Sequence, residues 1–495
     1  MKRYRTALPQ RCSVAQSDSP LQSSLPELGP VEVLLMLVAV PVVVLLALMS
    51  RKSLLLMLGG LLFLASIGVA RDWRGSIYGS WLLPLQNARN VVFAGLSVLL
   101  LLGAMPMIGN SRVGRPPFVA WIILAIGLYQ GFMRITHEGA EAGLISMAFA
   151  IATIVPIMFI LPSLIRDRED IRDYSFVVGV GFLLFVGACV IQAGLEPSRL
   201  TIGLQDRFIG VAANPQHAGT IAAGCMIFAA WRIWGEPLAR GVPLWIIVFG
   251  ACGVAILLTG SRTAIAMAGV GILVLAYRRA GRSILILPIG IALAFAALKI
   301  AETLGIDLPL ARLTEGGDTR SVAWAELLAD FRSSPIAGIG MGELEMSENS
   351  FLFGAASFGI GMLLLTLLLA VAILAQCVAI FRATLPYRRL RPSADLVIGF
   401  NLAYLFGANF EGYIMSRNSG AMILILISSS LASVLLSAIA SAESSGDPDF
   451  ALAWGLDELV LSDEEIAAED EEEGDFNTDS EDAAPIEGVK SAHQA

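Results

Sequence analysis

The residues of this chain that could do chemistry are arginines and carboxylates standing where apolar segments break off. Arg207 lies in Asp206-Arg207-Phe208-Ile209-Gly210, shortly before Asn214-Pro215-Gln216-His217, where a new apolar helix begins. Arg262 sits in Thr259-Gly260-Ser261-Arg262, a tight break between two apolar runs, and Arg320 and Arg332 fall in a long polar segment, 301–356. A guanidinium presents a planar fork that suits phosphate oxygens. Near a membrane face it is costly unless it snorkels, pairs or meets an anionic ligand. Taken singly, each arginine also reads as a helix-end anchor at the headgroups. For Arg262, with almost no loop around it, a buried ligand site and an anchor both stay open.

Glu348-Asn349 comes directly before Ser350-Phe351-Leu352, where the chain turns apolar again. A carboxylate at such a boundary can serve as a general base when desolvation raises its pKa. It can equally be a helix-start residue favoured by the helix dipole. Gly338-Ile339-Gly340-Met341-Gly342 does not fit G-x-G-x-x-G and has no βαβ context, so it reads as a flexible turn rather than a nucleotide loop. His137 and His217 are isolated, with no metal-ligand spacing around them, and no metal or cofactor is expected. Cys12, Cys189, Cys225, Cys252 and Cys377 lack metal or redox spacing and read as small core residues.

The elements that must position these side chains are membrane helices. The chain is 56% hydrophobic and only 15% charged, with a mean hydropathy of +0.73. Those values exclude an ordinary soluble domain. Apolar runs long enough to cross a hydrocarbon core of about 30 Å recur along it without the alternation of barrel strands. The expected fold is an all-α polytopic membrane protein, with spans near 31–49, 53–70, 91–109, 117–133, 142–165, 175–195, 214–231, 243–259, 263–277, 283–300, 357–380, 394–410 and 418–440. Residues 1–30 form a polar N-terminal segment without an evident cleavage site. Residues 31–440 form the transmembrane domain, and 441–495 an acidic, disordered tail.

Charge orients the spans. The net charge of −9 comes from the tail, since residues 443–495 hold 18 Asp or Glu and one Lys, and the rest of the chain is net +8. One set of short alternate loops, including Arg166/Arg168/Arg172, Arg278/Arg279/Arg282 and Arg388/Arg389/Arg391, carries 16 basic residues in about 50 positions. The opposite set carries 11 in more than about 100. The richer set is therefore read as cytoplasmic, with the acidic tail inside and 301–356 outside. Thirteen spans then put the amino end outside despite Lys2, Arg3, Arg5 and Arg11. Either 31–70 is a re-entrant or differently split hairpin, or that end is translocated with its charge.

Arg207 with Gly210 and Asn214-Pro215, then Ser261-Arg262, then Arg320 with Trp324, Pro335-Ile336-Ala337-Gly338-Ile339-Gly340 and Glu348-Asn349-Ser350-Phe351-Leu352 with Gly359 follow in order. Over residues 200–380 this order resembles the bacterial O-antigen ligase and O-antigen or exopolysaccharide polymerase family. The resemblance implies a GT-C-like fold of about 12–13 transmembrane helices in the bacterial inner membrane, with a long periplasmic loop carrying short helices. It also implies a metal-independent glycosyltransferase that moves a glycan from an undecaprenyl-pyrophosphate carrier to an acceptor hydroxyl on a glycan or lipid-anchored acceptor. Arg207, Arg262 and Arg320 would hold the donor pyrophosphate and Glu348 would act as base, with Asn214 and Asn349 in support. Expected partners are membrane lipids and polysaccharide-assembly proteins, and no nucleic acid. Many ligases carry His-Asn where this chain has Glu348-Asn349, which shifts the reading from a strict ligase toward a polymerase-like enzyme. A transporter or flippase of lipid-linked sugars is the alternative, although no internal repeat is evident. A non-catalytic assembly factor using the acidic tail is a third reading.

Overall fold

The computed structural model describes residues 51–71, 77–78, 80–104, 116–202, 207–235, 241–280, 319–344, 347–416, 419–445 and 447–456. The expected spans 31–49 and 283–300, and most of the tail, lie outside the described residues. The helices are α1 (Arg51–Ser66), α2 (Leu83–Ala104), α3 (Phe118–Glu138), α4 (Ala140–Leu164), α5 (Arg168–Leu195), α6 (Pro215–Gly235) and α7 (Val242–Thr259). They continue with α8 (Arg262–Ala280), α9 (Thr319–Ser333), α10 (Ser350–Phe358), α11 (Ile360–Ala383), α12 (Arg391–Gly407), α13 (Gly420–Ser445) and α14 (Pro448–Trp454). Two antiparallel hairpins of two-residue strands supplement them, β1 (Ala70–Arg71) with β2 (Ile77–Tyr78) and β3 (Thr201–Ile202) with β4 (Arg207–Phe208). Among the described residues, seven helices are long and apolar enough to cross a membrane. The protein is an all-α multi-pass membrane protein.

Burial sorts the helices. In α13 the apolar stretch is 89% buried, against 28% in α2 and in α7. A helix apolar on every side must be surrounded by other helices or by lipid. α13 is surrounded by protein, packing on α1, α6, α11 and α12. α2 and α7 instead leave large apolar side chains outward, such as Leu102, Ile247 and Val254. Such faces suit hydrocarbon. In α4, Pro156 lacks a backbone donor and the helix widens into a π-turn at Val155–Ile160. Cys225, Cys252 and Cys377 are buried free thiols and Cys189 is half-buried, whereas Cys12 lies outside the described residues.

The structure differs from the sequence reading at two places. The expected span 357–380 corresponds to α11, and a separate short helix, α10, precedes it across Gly359. At the carboxyl end, α13 runs through the boundary expected at residue 441, and residues 448–454 form α14. Asp447 caps α14 and Trp454 is fully buried. Burial of a large aromatic side chain, a contribution of about 1.5–3 kcal/mol, outweighs the acidic composition that begins nearby.

Pro335–Gly340 is the other departure, because it is pinned rather than flexible. Ile339 N donates to Ala356 O at 2.9 Å, Gly340 N to Ser357 O at 3.0 Å, and Ile360 N to Pro335 O at 2.8 Å. Backbone groups left open at the α10–α11 break are thus satisfied by the incoming loop. The fit requires glycine. Gly338 (φ +70°) and Gly359 (φ +79°) are left-handed, and a Cβ on Gly359 would lie 2.0 Å from Ile336 O. Gly359→Ala is therefore expected to destabilise the protein by more than the roughly 1–2 kcal/mol of left-handed strain alone. A clear fall in the thermal midpoint of the detergent-solubilised protein checks this; an unchanged midpoint would contradict the pinned turn.

Candidate functional site

The site is built around the break between α7 and α8. α7 ends in Gly260 with left-handed φ, and α8 starts at Arg262. Ser261 caps the new helix by accepting from Ala264 N at 3.3 Å. The Thr259 carbonyl, one of those a helix end leaves open, accepts from Arg207 Nε at 2.8 Å. Arg207 reaches it from β4, where Ile202 pairs with Arg207 and Thr201 with Phe208. On the far side of the break, Arg320 Nη2 donates to Thr263 Oγ1 at 2.6 Å. Arg207 and Arg320, widely separated in sequence, therefore both bond to the five-residue stretch 259–263 that carries Arg262.

Each arginine is placed differently. Arg207 is half-buried, and Arg262 is exposed in the first turn of α8. The inner side of the turn is taken by Ser261 and Thr263, both buried. Arg262 is the exposed member of the three, which leaves its donors facing outward at the break. Arg320 is turned inward: besides Thr263, it donates to Phe410 O at 3.1 Å and pairs with Glu411 Oε1 at 3.3 Å. Its guanidinium lies 4.9 Å from the Phe410 ring centroid, and Trp324, one turn along α9, stacks on the same ring. Arg332 lies in the last turn of α9 and is exposed.

Glu411 leads to a cavity of about 1660 Å³, larger than the roughly 300–1,000 Å³ that suits a drug-sized ligand. Glu348, Glu411, Asn214, His217, Arg89 and Arg134 are among the residues that line it. Glu348 stands immediately before Asn349, which caps α10 by accepting from Phe351 N at 3.0 Å and Leu352 N at 3.1 Å. Among the described residues Asn349 is the one non-glycine with positive φ (65°), a conformation asparagine tolerates better than most. Asn214 caps α6 in the same way, accepting from His217 N at 2.7 Å. Both asparagines thus serve as helix caps that set the positions of Glu348 and His217. Ser350 closes the arrangement, with Oγ donating to Glu411 O at 2.6 Å and N donating to Ala408 O at 2.8 Å. The segments around 348–350 and 408–412 are thereby held together.

The electrostatics of this corner are uneven. Burial pushes the Glu411 carboxyl up from 4.5 to about 7; the Arg320 guanidinium pulls the other way, and Glu348 adds a like charge. A shift of that size makes ionisation more costly by on the order of 3 kcal/mol, so desolvation outweighs the ion pair. Glu348 Oε2 and His217 Nε2 are both buried without a hydrogen-bond partner. Buried polar atoms left open are uncommon and point to a missing partner such as a ligand or water.

Glu411 is the residue the sequence reading passed over. It directly follows an expected span ending at 410, the same boundary signal that singled out Glu348. His137 and His217, isolated in sequence, line the same cavity. His137 Nε2 lies 3.0 Å from Ala337 O, which helps hold the pinned loop. Among the described residues no group of three or more His, Cys, Asp or Glu is placed to hold a metal ion. Neither family models nor curated proteins match the chain.

Glu411 carries a pH signature with a definite sign. Its folded-state pKa is raised, so its contribution to stability is fully present below about 4.5 and is lost as pH rises through about 7. Glu411→Gln mimics the neutral form. The thermal midpoint of the wild type relative to Glu411→Gln is expected to fall as pH goes from 5.5 to 8.5 (roughly spanning that value). A difference independent of pH would show that the carboxyl is not raised.

Proposed function

We propose that this protein is a membrane glycosyltransferase of the O-antigen ligase and polymerase type. It transfers a glycan from an undecaprenyl-pyrophosphate carrier to an acceptor sugar hydroxyl. The observation that carries the reading is the meeting of Arg207, Arg262 and Arg320 at the 259–263 break, with Arg320 continuing to the carboxylate corner of a large cavity. Glycosyl transfer from a pyrophosphate requires cationic forks and a carboxylate, and the Arg320–Glu411 pair links the break to the cavity that Glu348 lines.

In this mechanism the arginines at the break receive the carrier pyrophosphate. Exposed Arg262 is the direct contact, and Arg207 and Arg320 hold the turn that presents it. The acceptor hydroxyl lies in the cavity against Glu348. As the acceptor oxygen bonds to the anomeric carbon, its proton passes to the Glu348 carboxylate. The bond between the anomeric carbon and the phosphate oxygen breaks, and its electron pair leaves with the pyrophosphate. Charge growing on that leaving group is stabilised by donors already in position, which is usually the largest single contribution to such a step. The cavity suits an extended, hydroxyl-rich substrate better than a small metabolite, because amides and hydroxyls such as Gln130, Gln216, Thr220 and Ser347 line it. The reading places the protein in a bacterial inner membrane, with the α9–α10 segment outward and the acidic tail in the cytoplasm, beside other polysaccharide-assembly proteins.

Arg262→Ala and Glu348→Gln are each expected to lower glycan transfer by about 100-fold or more, with membrane insertion intact. Gel profiles of surface and carrier-linked polysaccharide read this in the producing strain. Normal chain length and amount in both variants would overturn the assignment. In a null strain, accumulated single-repeat carrier lipid marks a polymerase, and carrier-linked polymer that fails to reach the surface marks a ligase. Carrier lipid trapped on the inner leaflet would instead mark a flippase.

A further inference from the structure

We infer that Glu411 is the proton-holding partner of Glu348: the two carboxyls share a single proton, kept on Glu411, so that Glu348 remains ionised to receive the acceptor proton. This rests on the transferase reading above and names a residue outside the family-like motifs of the 200–380 region.

Geometry supports the pairing. Both side chains line one cavity. Their backbone segments are locked together by Ser350, and a Cβ added at Gly412 would lie 2.1 Å from Ser347 O, so the two strands of chain touch. Glu411 is held from its other side by Arg320 on α9, which is itself fixed to Thr263 on α8 and to Phe410 O. Among the described residues Glu348 Oε2 is, by contrast, buried without a hydrogen-bond partner. The groups facing Glu411 are therefore Arg320 from α9, Thr263 from α8, Glu348 from the α10 approach, and Tyr413 from the cavity wall. Two carboxylates sharing one site cannot both ionise cheaply, and one keeps its proton to a higher pH. Burial raises Glu411, which makes it the member that does so near neutrality.

The role keeps the step balanced. Before transfer the pair holds one proton, on Glu411. During transfer Glu348 gains the acceptor proton as the new C–O bond forms and the pyrophosphate leaves with its electron pair. Afterwards Glu348 returns that proton to cavity water and the pair is reset. Glu411 acts through Glu348 and is thus a positioning residue rather than a group that touches the reacting atoms.

The test is an infrared pH titration of the full-length protein in lipid nanodiscs, following the absorption of protonated carboxyls. Wild type is expected to show a carboxyl titrating near neutral pH, absent in Glu411→Gln. Glu348→Gln, which removes the like charge without removing a hydrogen bond, is expected to weaken the proton affinity of Glu411 about tenfold. Titration of Glu348→Gln identical to wild type, or a band that persists in Glu411→Gln, would overturn the pairing. A transfer assay run on the same variants separates the two claims. Expected there is loss of the near-neutral inflection from the pH–rate profile of Glu411→Gln. If the titrations are uncoupled while Glu348→Gln still blocks transfer, the pairing falls and the transferase reading stands. Coupled titrations with normal glycan from both variants would keep the pairing and remove its catalytic use.

Discussion

One guanidinium holds the site together. Arg320 donates to a threonine hydroxyl on α8, to a backbone carbonyl beyond α12 and to the Glu411 carboxylate, and its plane lies against Phe410. Thr263 and the adjacent pair Phe410–Glu411 come from separate parts of the chain, and Arg320 ties them together. In a half-buried setting each bond is stronger than it would be in water, and each open donor would be more costly. The position of α9, the shape of the 259–263 break and the orientation of Glu411 are therefore linked through one side chain.

The rest of the site obeys the same constraint. Backbone groups at a helix break in apolar surroundings must find partners, and here the partners are the residues of chemical interest or their immediate neighbours. Arg207 satisfies Thr259 O, Asn349 and Asn214 satisfy the first turns of α10 and α6, and the Pro335–Gly340 loop satisfies the α10–α11 break. Interrupted helices thus supply both the polar groups and the rigidity that holds them. The uninterrupted α13, buried on all sides, is the post against which these broken elements pack.

Much of this was legible in the residues. A guanidinium or carboxylate where an apolar run stops is conspicuous, and Arg207, Arg262, Arg320 and Glu348 were visible on that ground. Glu411 carries the same signal but lies between Phe410 and Tyr413, so it reads as the polar end of a span. His137 and His217 are 80 residues apart in sequence, and spacing alone makes them isolated. The break at Gly359 between α10 and α11 is not marked by its neighbours, because a single glycine in an apolar run is compatible with an unbroken helix. What decides it is the approach of Ile336 O, which lies elsewhere in the chain.

The sequence by itself determined the class of molecule, most helix positions and which residues were candidates, because hydropathy and charge act locally and survive in one dimension. Tertiary structure alone decided that three arginines meet at one break, that Arg320 is turned inward while Arg262 stays exposed, and that Glu411 lies beside Glu348. Those outcomes depend on which distant backbone atoms are brought within about 3 Å of one another. Desolvation, the largest influence on Glu411, exists only once surrounding segments have closed over it.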